Sequence, residues 1–104
     1  SWVSYAWWEQ PALILNSMRL PVDHRLDALL STGQLLSTED HTGRLYDRDG
    51  NLLATFPLGN LVYLGEHYVG GVPRCYFSQS LIFDGRLHFN VYWIQTDQLS
   101  TLGN

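Results

Sequence analysis

The sequence predicts an α+β domain: an antiparallel meander sheet of four or more strands, with at least one helix, at about residues 21–31, packed on one face. Two observations carry this prediction. Apolar-rich runs separated by turn signals follow one another through residues 45–96, as they do in an antiparallel meander. One stripe of apolar residues at helical spacing precedes them, and the chain lacks the crossover helices that a parallel sheet requires.

The clearest element is a hairpin formed by Arg74–Phe83 and Arg86–Gln95, with Asp84-Gly85 between them. Asp-Gly between two apolar-rich runs is the strongest short-range hairpin signal, because a type I′ turn needs positive φ at both central residues. The two-residue loop also predicts the register. Phe83 should lie opposite Arg86, and each earlier residue of the first strand should face the next residue of the second.

Turn signals place two further strand regions before this hairpin. Asn60–Val69 alternates and is followed by Gly70-Gly71-Val72-Pro73, which predicts a strand that ends in a turn. Arg44–Asp47 and Asn51–Phe56 flank Asp47-Arg48-Asp49-Gly50, which predicts a second hairpin.

The remaining segments carry weaker signals. Leu35–Gly43 is rich in turn residues, and Thr96–Asn104 is a polar tail that we expect to fray.

The predicted helix over residues 21–31 starts at a proline, which suits a first helical turn. Asp23 would lie near the positive end of the helix dipole, and Gly33 would end the helix. The apolar stripe consists of Val22, Leu26, Leu29 and Leu30. A helix of about eleven residues is marginal alone, so this stripe should pack on the sheet.

The N-terminal segment Ser1–Gln10 contains three of the four tryptophans and is predicted to be a strand or an extended arm. Two roles are open for it: a core or dimer contact, or a platform for a ligand. Ala12–Leu20 follows Pro11 and contains the run Leu13–Leu15. So short a run is compatible with a buried strand or with a helical turn.

Length and charge bound the possible functions. The 104 residues predict a single domain over residues 1–104. With 15% charged and 13% aromatic residues, part of the surface is expected to leave water in a homo-oligomer or against a protein partner. The six arginines are scattered, lysine is absent and the net charge is −4. Nucleic-acid binding, which needs clustered positive charge, is therefore not predicted, and a basic protein partner is favoured.

Cysteine content and hydropathy predict the compartment. Cys75 is the single cysteine, so an intramolecular disulfide and a CxxC metal site are excluded. Its aromatic neighbours predict a small buried residue that is inert to thiol reagents. The absence of an apolar run of about 18 residues and of a signal-peptide pattern predicts a cytoplasmic protein without membrane contact.

The motifs do not favour catalysis, a metal or a cofactor. Asp47–Asn51 resembles a calcium loop, but Leu58 stands where an EF-hand has its last ligand. The four histidines lack the short spacings of a zinc site. A nucleophile elbow and a glycine-rich phosphate loop are both missing from the sequence. We therefore predict no catalytic residue, no metal and no cofactor, and enzymatic activity is not favoured.

The hairpin register divides its side chains between two faces. Face one holds Tyr76, Ser78, Ser80, Ile82, Leu87, Phe89, Val91 and Trp93. Face two holds Cys75, Phe77, Gln79, Leu81, Phe83, Arg86, His88, Asn90, Tyr92 and Ile94. Face one has the bulk to form the core beneath the predicted helix. Face two is too aromatic for a solvated face and too polar for a core.

These faces lead to the predicted site and function. The predicted binding surface lies on face two and consists of Glu66, Tyr68, Phe77, Gln79, His88, Asn90 and Tyr92, because tyrosine beside amides is typical of contact patches. The predicted function is that of a non-enzymatic accessory protein of adaptor, inhibitor or immunity type, acting through protein contact as a homo-oligomer. The alternative is a small-molecule-binding or enzymatic domain with a pocket between the curved sheet and its helix.

Overall fold

The computed structural model describes residues 2–9, 12–19 and 22–103, which contain nine strands and two 3₁₀ segments. The strands are β1 Trp2–Glu9, β2 Ala12–Arg19, β3 Ala28–Leu29, β4 Leu35–Ser37, β5 Thr42–Tyr46, β6 Leu52–Pro57, β7 Val62–Val69, β8 Val72–Phe83 and β9 Arg86–Gln95. A short 3₁₀ turn covers Glu39–His41, and a 3₁₀ helix covers Thr96–Gly103. Among the described residues, no helix is long and apolar enough to cross a membrane.

The strands form three antiparallel sheets, with the orders β1-β2, β3-β4-β5-β6 and β7-β8-β9. Each sheet connects neighbouring strands in chain order, so the predicted antiparallel meander is confirmed. The described residues are mainly β, and the α+β class is supported only loosely, through the 3₁₀ segments.

The N-terminal segment is strand on both sides of Pro11. β1 pairs with β2 along its whole length, with Trp7 opposite Ile14, so the run Leu13–Leu15 belongs to a strand. Pro11 and the side-chain contacts of Trp2, Trp7 and Trp8 lie outside what the structure describes.

The helix predicted for residues 21–31 is wrong over its described part, and its first residue, Pro21, lies outside the described residues. The segment is extended and ends in β3, where Ala28 faces Leu36 and Leu29 faces Leu35. Burial alternates with a period of two, so that even-numbered residues from Val22 to Leu30 point inward. A spacing of four residues suits one helix face and also one face of a strand, which is why the stripe was ambiguous.

Hydrogen bonds stabilise the extended form of this segment. The Asp27 carboxylate accepts bonds from the Thr38 N–H at 2.7 Å and the Thr38 hydroxyl at 2.8 Å. The Leu30 N–H donates to the Gln34 carbonyl at 2.8 Å. Gly33, with φ of +85°, lies in this tight turn rather than at the end of a helix.

Both predicted hairpins are present. Asp84 and Gly85 have φ of 51° and 68°, as a type I′ turn requires, and Phe83 lies opposite Arg86 as predicted. In the other turn, the Asp47 carboxylate accepts bonds from the Asp49 N–H and the Asn51 N–H, each at 2.9 Å. This carboxylate therefore serves the turn, in agreement with the hairpin prediction.

The C-terminal prediction is wrong. Instead of fraying, the segment after Gln95 forms the 3₁₀ helix, and Thr96 and Leu99 within it are fully buried. Leu99 packs in the main core, which holds the residues after β9 in place. The turn-rich stretch before residue 43 likewise contains the buried strand β4.

The main core lies between the four-stranded sheet, the C-terminal 3₁₀ helix and the inner half of face two. Its buried members are Leu30, Leu36, Leu45, Phe56, Leu58, Cys75, Phe77 and Leu99. The prediction that face one forms the core is therefore wrong. Cys75 and Phe77 belong to face two, and they are the β8 residues that pack against the other sheet.

Candidate protein-contact surface

The β8–β9 hairpin extends beyond the rest of its sheet. β7 pairs with β8 from Val69 opposite Val72 to Val62 opposite Ser78, whereas β8 continues to Phe83. Residues 79–83 and 86–90 therefore form a two-stranded arm without a third strand among the described residues. Every residue from 80 to 93 is exposed, so both faces of the arm meet solvent.

Pairing with β7 extends the two faces across all three strands. Val62 and Val69 lie opposite face-one residues of β8, and Glu66 and Tyr68 lie opposite face-two residues. The predicted assignment of Glu66 and Tyr68 to face two is thus confirmed by the register. The turn between β7 and β8 has two residues, Gly70 and Gly71, instead of the four from Gly70 to Pro73. Because the turn is shorter by an even number of residues, each side chain stays on its predicted face.

Face one presents many large apolar side chains to solvent. Its exposed apolar members are Val62, Val69, Val72, Ile82, Leu87, Phe89, Val91 and Trp93. Ile82 is 82% exposed, Phe89 63% and Trp93 50%. At roughly 75 Å² each, the eight side chains expose about 600 Å² of apolar surface in all, and the row of His67 and Arg74 separates Val69 and Val72 from the rest.

The inner end of face one is organised by aromatic contacts. The Arg74 guanidinium lies 3.7 Å from the centroid of the Trp93 ring, a cation–π contact that helps to fix the indole. The ring of His67 meets the edge of Tyr76 at a centroid distance of 5.6 Å. The indole of Trp93 is therefore positioned by its neighbours while half of its surface faces solvent.

The seven predicted site residues do not form one patch. Phe77 is 4% exposed and belongs to the core, so in this conformation it cannot touch a partner. Tyr68 is exposed at one end of the sheet, and His88 and Asn90 are exposed on the arm. The remaining three, Glu66, Gln79 and Tyr92, are held by hydrogen bonds within the chain.

Gln79 and Tyr92 form a small polar group on face two. The Tyr92 hydroxyl donates to Gln79 Oε1 at 3.3 Å, and Gln79 Nε2 donates to Asn60 Oδ1 at 3.1 Å. His88 contacts the ring of Phe83 with centroids 5.8 Å apart. These contacts fix the base and middle of the arm.

Glu66 connects three segments of the chain. Its carboxylate accepts bonds from the Ser31 N–H at 2.9 Å, the Ser31 hydroxyl at 2.6 Å and the Thr96 hydroxyl at 2.5 Å. These bonds attach the β3–β4 turn and the C-terminal 3₁₀ helix to β7. The geometry is that of a structural connection, in which the carboxylate oxygens are already used.

Cys75 lies beside this network, with its Sγ 3.4 Å from the Thr96 hydroxyl oxygen. Because that hydroxyl gives its proton to Glu66, the thiol is the donor in this contact. Burial raises the pKa of the Cys75 thiol. A protonated, buried thiol is a poor nucleophile, and this supports the prediction of inertness.

Two hollows on the described surface are open to solvent. One is lined by arm residues including Leu81, Phe83 and His88, and another lies between the segment around Arg25 and the start of β7. The alternative prediction needed a pocket between the sheet and a helix over residues 21–31, and residues 22–31 form no helix. The described part of the hairpin exposes apolar residues on face one.

Face one was missed as a contact surface because its bulk suggested a core. The hairpin's own sequence carries no signal of which face is exposed, because that depends on the residues of the four-stranded sheet that pack against Cys75 and Phe77. In comparisons with known proteins, no family model, no curated protein and no solved structure matches this chain.

Proposed function

We propose that this chain is a non-enzymatic binding protein of adaptor, inhibitor or immunity type, which acts through protein–protein contact and works as a homo-oligomer. The observation that carries the proposal is the apolar face one, exposed across β7, β8 and β9. Exposed apolar surface of this extent marks interaction sites. Each square ångström buried against a partner contributes about 25 cal/mol.

The character of face one favours a protein as the partner. Trp93 and Tyr76 supply aromatic area, Arg74 supplies a guanidinium, and these residue types are enriched at protein interfaces. Serine side chains at positions 78 and 80 lie between the larger residues and leave room for projecting side chains of a partner. An aromatic and aliphatic centre with a small polar component is typical of a contact that excludes water.

Charge contributes to the choice of partner at longer range. The net charge of −4 favours a basic protein partner, because long-range attraction raises the rate of encounter. In the described part of the chain, face one carries the basic residues His67 and Arg74 and no acidic residue, so the contact itself is governed by apolar burial. A cytoplasmic location belongs to the same proposal.

A pair of variants tests the proposal. Val62→Ser with Ile82→Ser makes face one more polar without touching β9, and Leu29→Ser with Leu53→Ser is a matched control on the other sheet. The four residues are 59%, 82%, 47% and 50% exposed, respectively. Each protein is immobilised and exposed to an extract of the source cells, and the retained proteins are compared.

The proposal expects a defined protein to be retained by the wild type and by the control, and to be lost with the face-one variant. Circular dichroism checks that all three proteins are folded. Identical sets of retained proteins for the wild type and the face-one variant would contradict the role of face one. Retention of no protein by the wild type would contradict the partner.

A further inference from the structure

β9 is a long edge strand whose outer side has no neighbour among the described strands. The sheet order is β7-β8-β9, and β9 spans Arg86–Gln95. Its ten residues pair with β8 without a bulge or a shift of register. An edge with regular pairing offers a row of unpaired N–H and C=O groups, which is a template for another strand.

The other edges of the two larger sheets carry the usual protections against such pairing. β3 has two residues, and a very short edge strand gives little to pair with. The edge strand β6 lies beside the C-terminal 3₁₀ helix, where a Cβ at Gly103 would come within 2.8 Å of the Thr55 carbonyl. β7 is interrupted by a shift of register between Tyr63 and Gly65.

β9 has none of these protections. Its sequence contains no proline and no acidic residue, and its one arginine, Arg86, stands at the strand's first position. Natural proteins guard exposed edges with charges, prolines, bulges or a covering element. A ten-residue edge that has no proline, no bulge and no neighbouring strand among the described residues, and whose one charge stands at its first position, is expected to be covered by pairing.

The backbone alternation identifies which residues of β9 would bond to a new strand. The residues that flank a two-residue turn form a hydrogen-bonded pair, here Phe83 and Arg86, and the pairs alternate from there. Even-numbered residues of β9 are thus directed to β8. The outward N–H and C=O groups belong to the odd-numbered residues, whose side chains lie on face one.

We infer that β9 pairs antiparallel with β9 of a second copy of this chain, about a two-fold axis at Asn90, to make one six-stranded sheet. This inference rests on the homo-oligomer of the proposed function and gives its geometry. The sequence of β9 favours a second copy as the pairing partner, because two antiparallel copies of β9 place apolar side chains opposite each other on face one. With Asn90 opposite Asn90 of the second copy, Val91 lies opposite Phe89, and Trp93 lies opposite Leu87.

The side-chain pairing in this register is apolar on face one and mixed on face two, where Ile94 lies opposite Arg86. On face one, every pair across the axis is apolar, and aromatic residues beside β-branched or aliphatic ones are stabilising cross-strand pairs. On face two, Tyr92 lies opposite His88, so two polar aromatic residues meet. The pairing also joins the two copies of face one into one surface of double width, available to the partner protein.

A cross-linking experiment tests the register. Residues directly opposite each other have Cβ atoms about 4.5–5.5 Å apart, close to what a disulfide spans. Asn90→Cys should therefore give a disulfide-linked dimer as the main species under mild oxidation. Tyr92→Cys is the matched control on the same face, because its two cysteines would lie four residues apart along the paired strands, about 13 Å.

The wild type controls for Cys75, which is buried. A second variant, Val91→Pro, removes an outward N–H while leaving the bonds to β8 in place. Each copy loses one hydrogen bond across the interface, so the dimer loses two. The dissociation constant of the dimer should therefore rise roughly tenfold or more. Sedimentation velocity measures it, and circular dichroism confirms the fold.

The outcomes separate this inference from the proposed function. A dimeric wild type with a specific Asn90→Cys cross-link supports the inference. A dimer in which Asn90→Cys links no better than Tyr92→Cys overturns it and leaves the homo-oligomer standing. A monomer at every concentration overturns both the inference and the homo-oligomer. This outcome includes the case in which another segment of the chain covers β9. The binding test with the Val62→Ser and Ile82→Ser variant does not depend on it.

Discussion

Replacing Glu66 by glutamine tests whether this residue is a structural connection rather than a contact residue. The carboxylate accepts three hydrogen bonds, two from Ser31 and one from Thr96. The amide of glutamine keeps one acceptor oxygen and turns an NH₂ group toward the remaining donors. At least one charge-assisted bond is lost, and such bonds contribute about 1.5–3 kcal/mol each.

The expected loss in the free energy of unfolding is about 2 kcal/mol, since the exposed Ser31 regains water while the buried Thr96 does not. With a urea dependence of roughly 1–3 kcal/mol per molar, the midpoint should fall by about 1 M. Glu39→Gln is the matched control, because Glu39 accepts one bond from the Arg25 N–H at 3.1 Å at an exposed site. It should change stability by about 0.5 kcal/mol or less.

Urea unfolding followed by circular dichroism measures both variants. The account predicts a clear separation between them, together with an unchanged oligomeric state for Glu66→Gln. If the two variants unfold at the same midpoint, the three bonds do not hold the turn and the helix to β7, and the structural role assigned to Glu66 is refuted.

Further predictions follow from the core and the sheet. Gly43→Ala would bring a Cβ within 2.1 Å of the Phe56 ring and should cost about 1–3 kcal/mol; in a Phe56→Ala background, the same change should be nearly neutral in urea unfolding, and equal costs in the two backgrounds would disprove the clash. Phe77→Ala should cost about 3–5 kcal/mol of stability, whereas Tyr92→Ala, half exposed, should cost about 1 kcal/mol or less; equal losses in thermal melts would contradict this division of face two. Cys75 should resist thiol reagents in the native protein at neutral pH, because burial raises the pKa of its thiol; rapid labelling would refute this.

Local chemistry made the hairpins predictable. Asp84-Gly85 specifies its turn through positive φ, and the turn determines the register of twenty residues. The Asp47 turn is similarly encoded, because its carboxylate accepts bonds from the N–H groups of Asp49 and Asn51, two and four residues on. In both cases the information lies within a few positions of the turn.

The failures arose where the outcome depends on distant residues. The spacing of Val22, Leu26 and Leu30 fits a helix and a strand equally well, and pairing with β4 decides between them. Which face of the long hairpin is buried depends on Phe56 and the other residues of the four-stranded sheet, which lie outside the hairpin. The hairpin pattern therefore separated the two faces correctly, but it did not determine which of them meets solvent.

The same reasoning explains the outcome for the candidate site. Composition identified residues of mixed polarity on face two, but the distribution of contacts depends on what packs against each end. The inner end, with Phe77 and Glu66, is used by the core and by the connection to Thr96. The outer end, with His88 and Asn90, projects into solvent on the arm.

Amide hydrogen exchange along β9 tests most directly whether this sheet contacts a second copy through its edge. The amides of Leu87, Phe89, Val91 and Trp93 should be protected at high protein concentration and should lose this protection on dilution. The even-numbered amides, bonded to β8, should stay protected throughout. Exchange of the odd-numbered amides at the rate of free backbone at every concentration, beside protected even-numbered neighbours, would contradict the account.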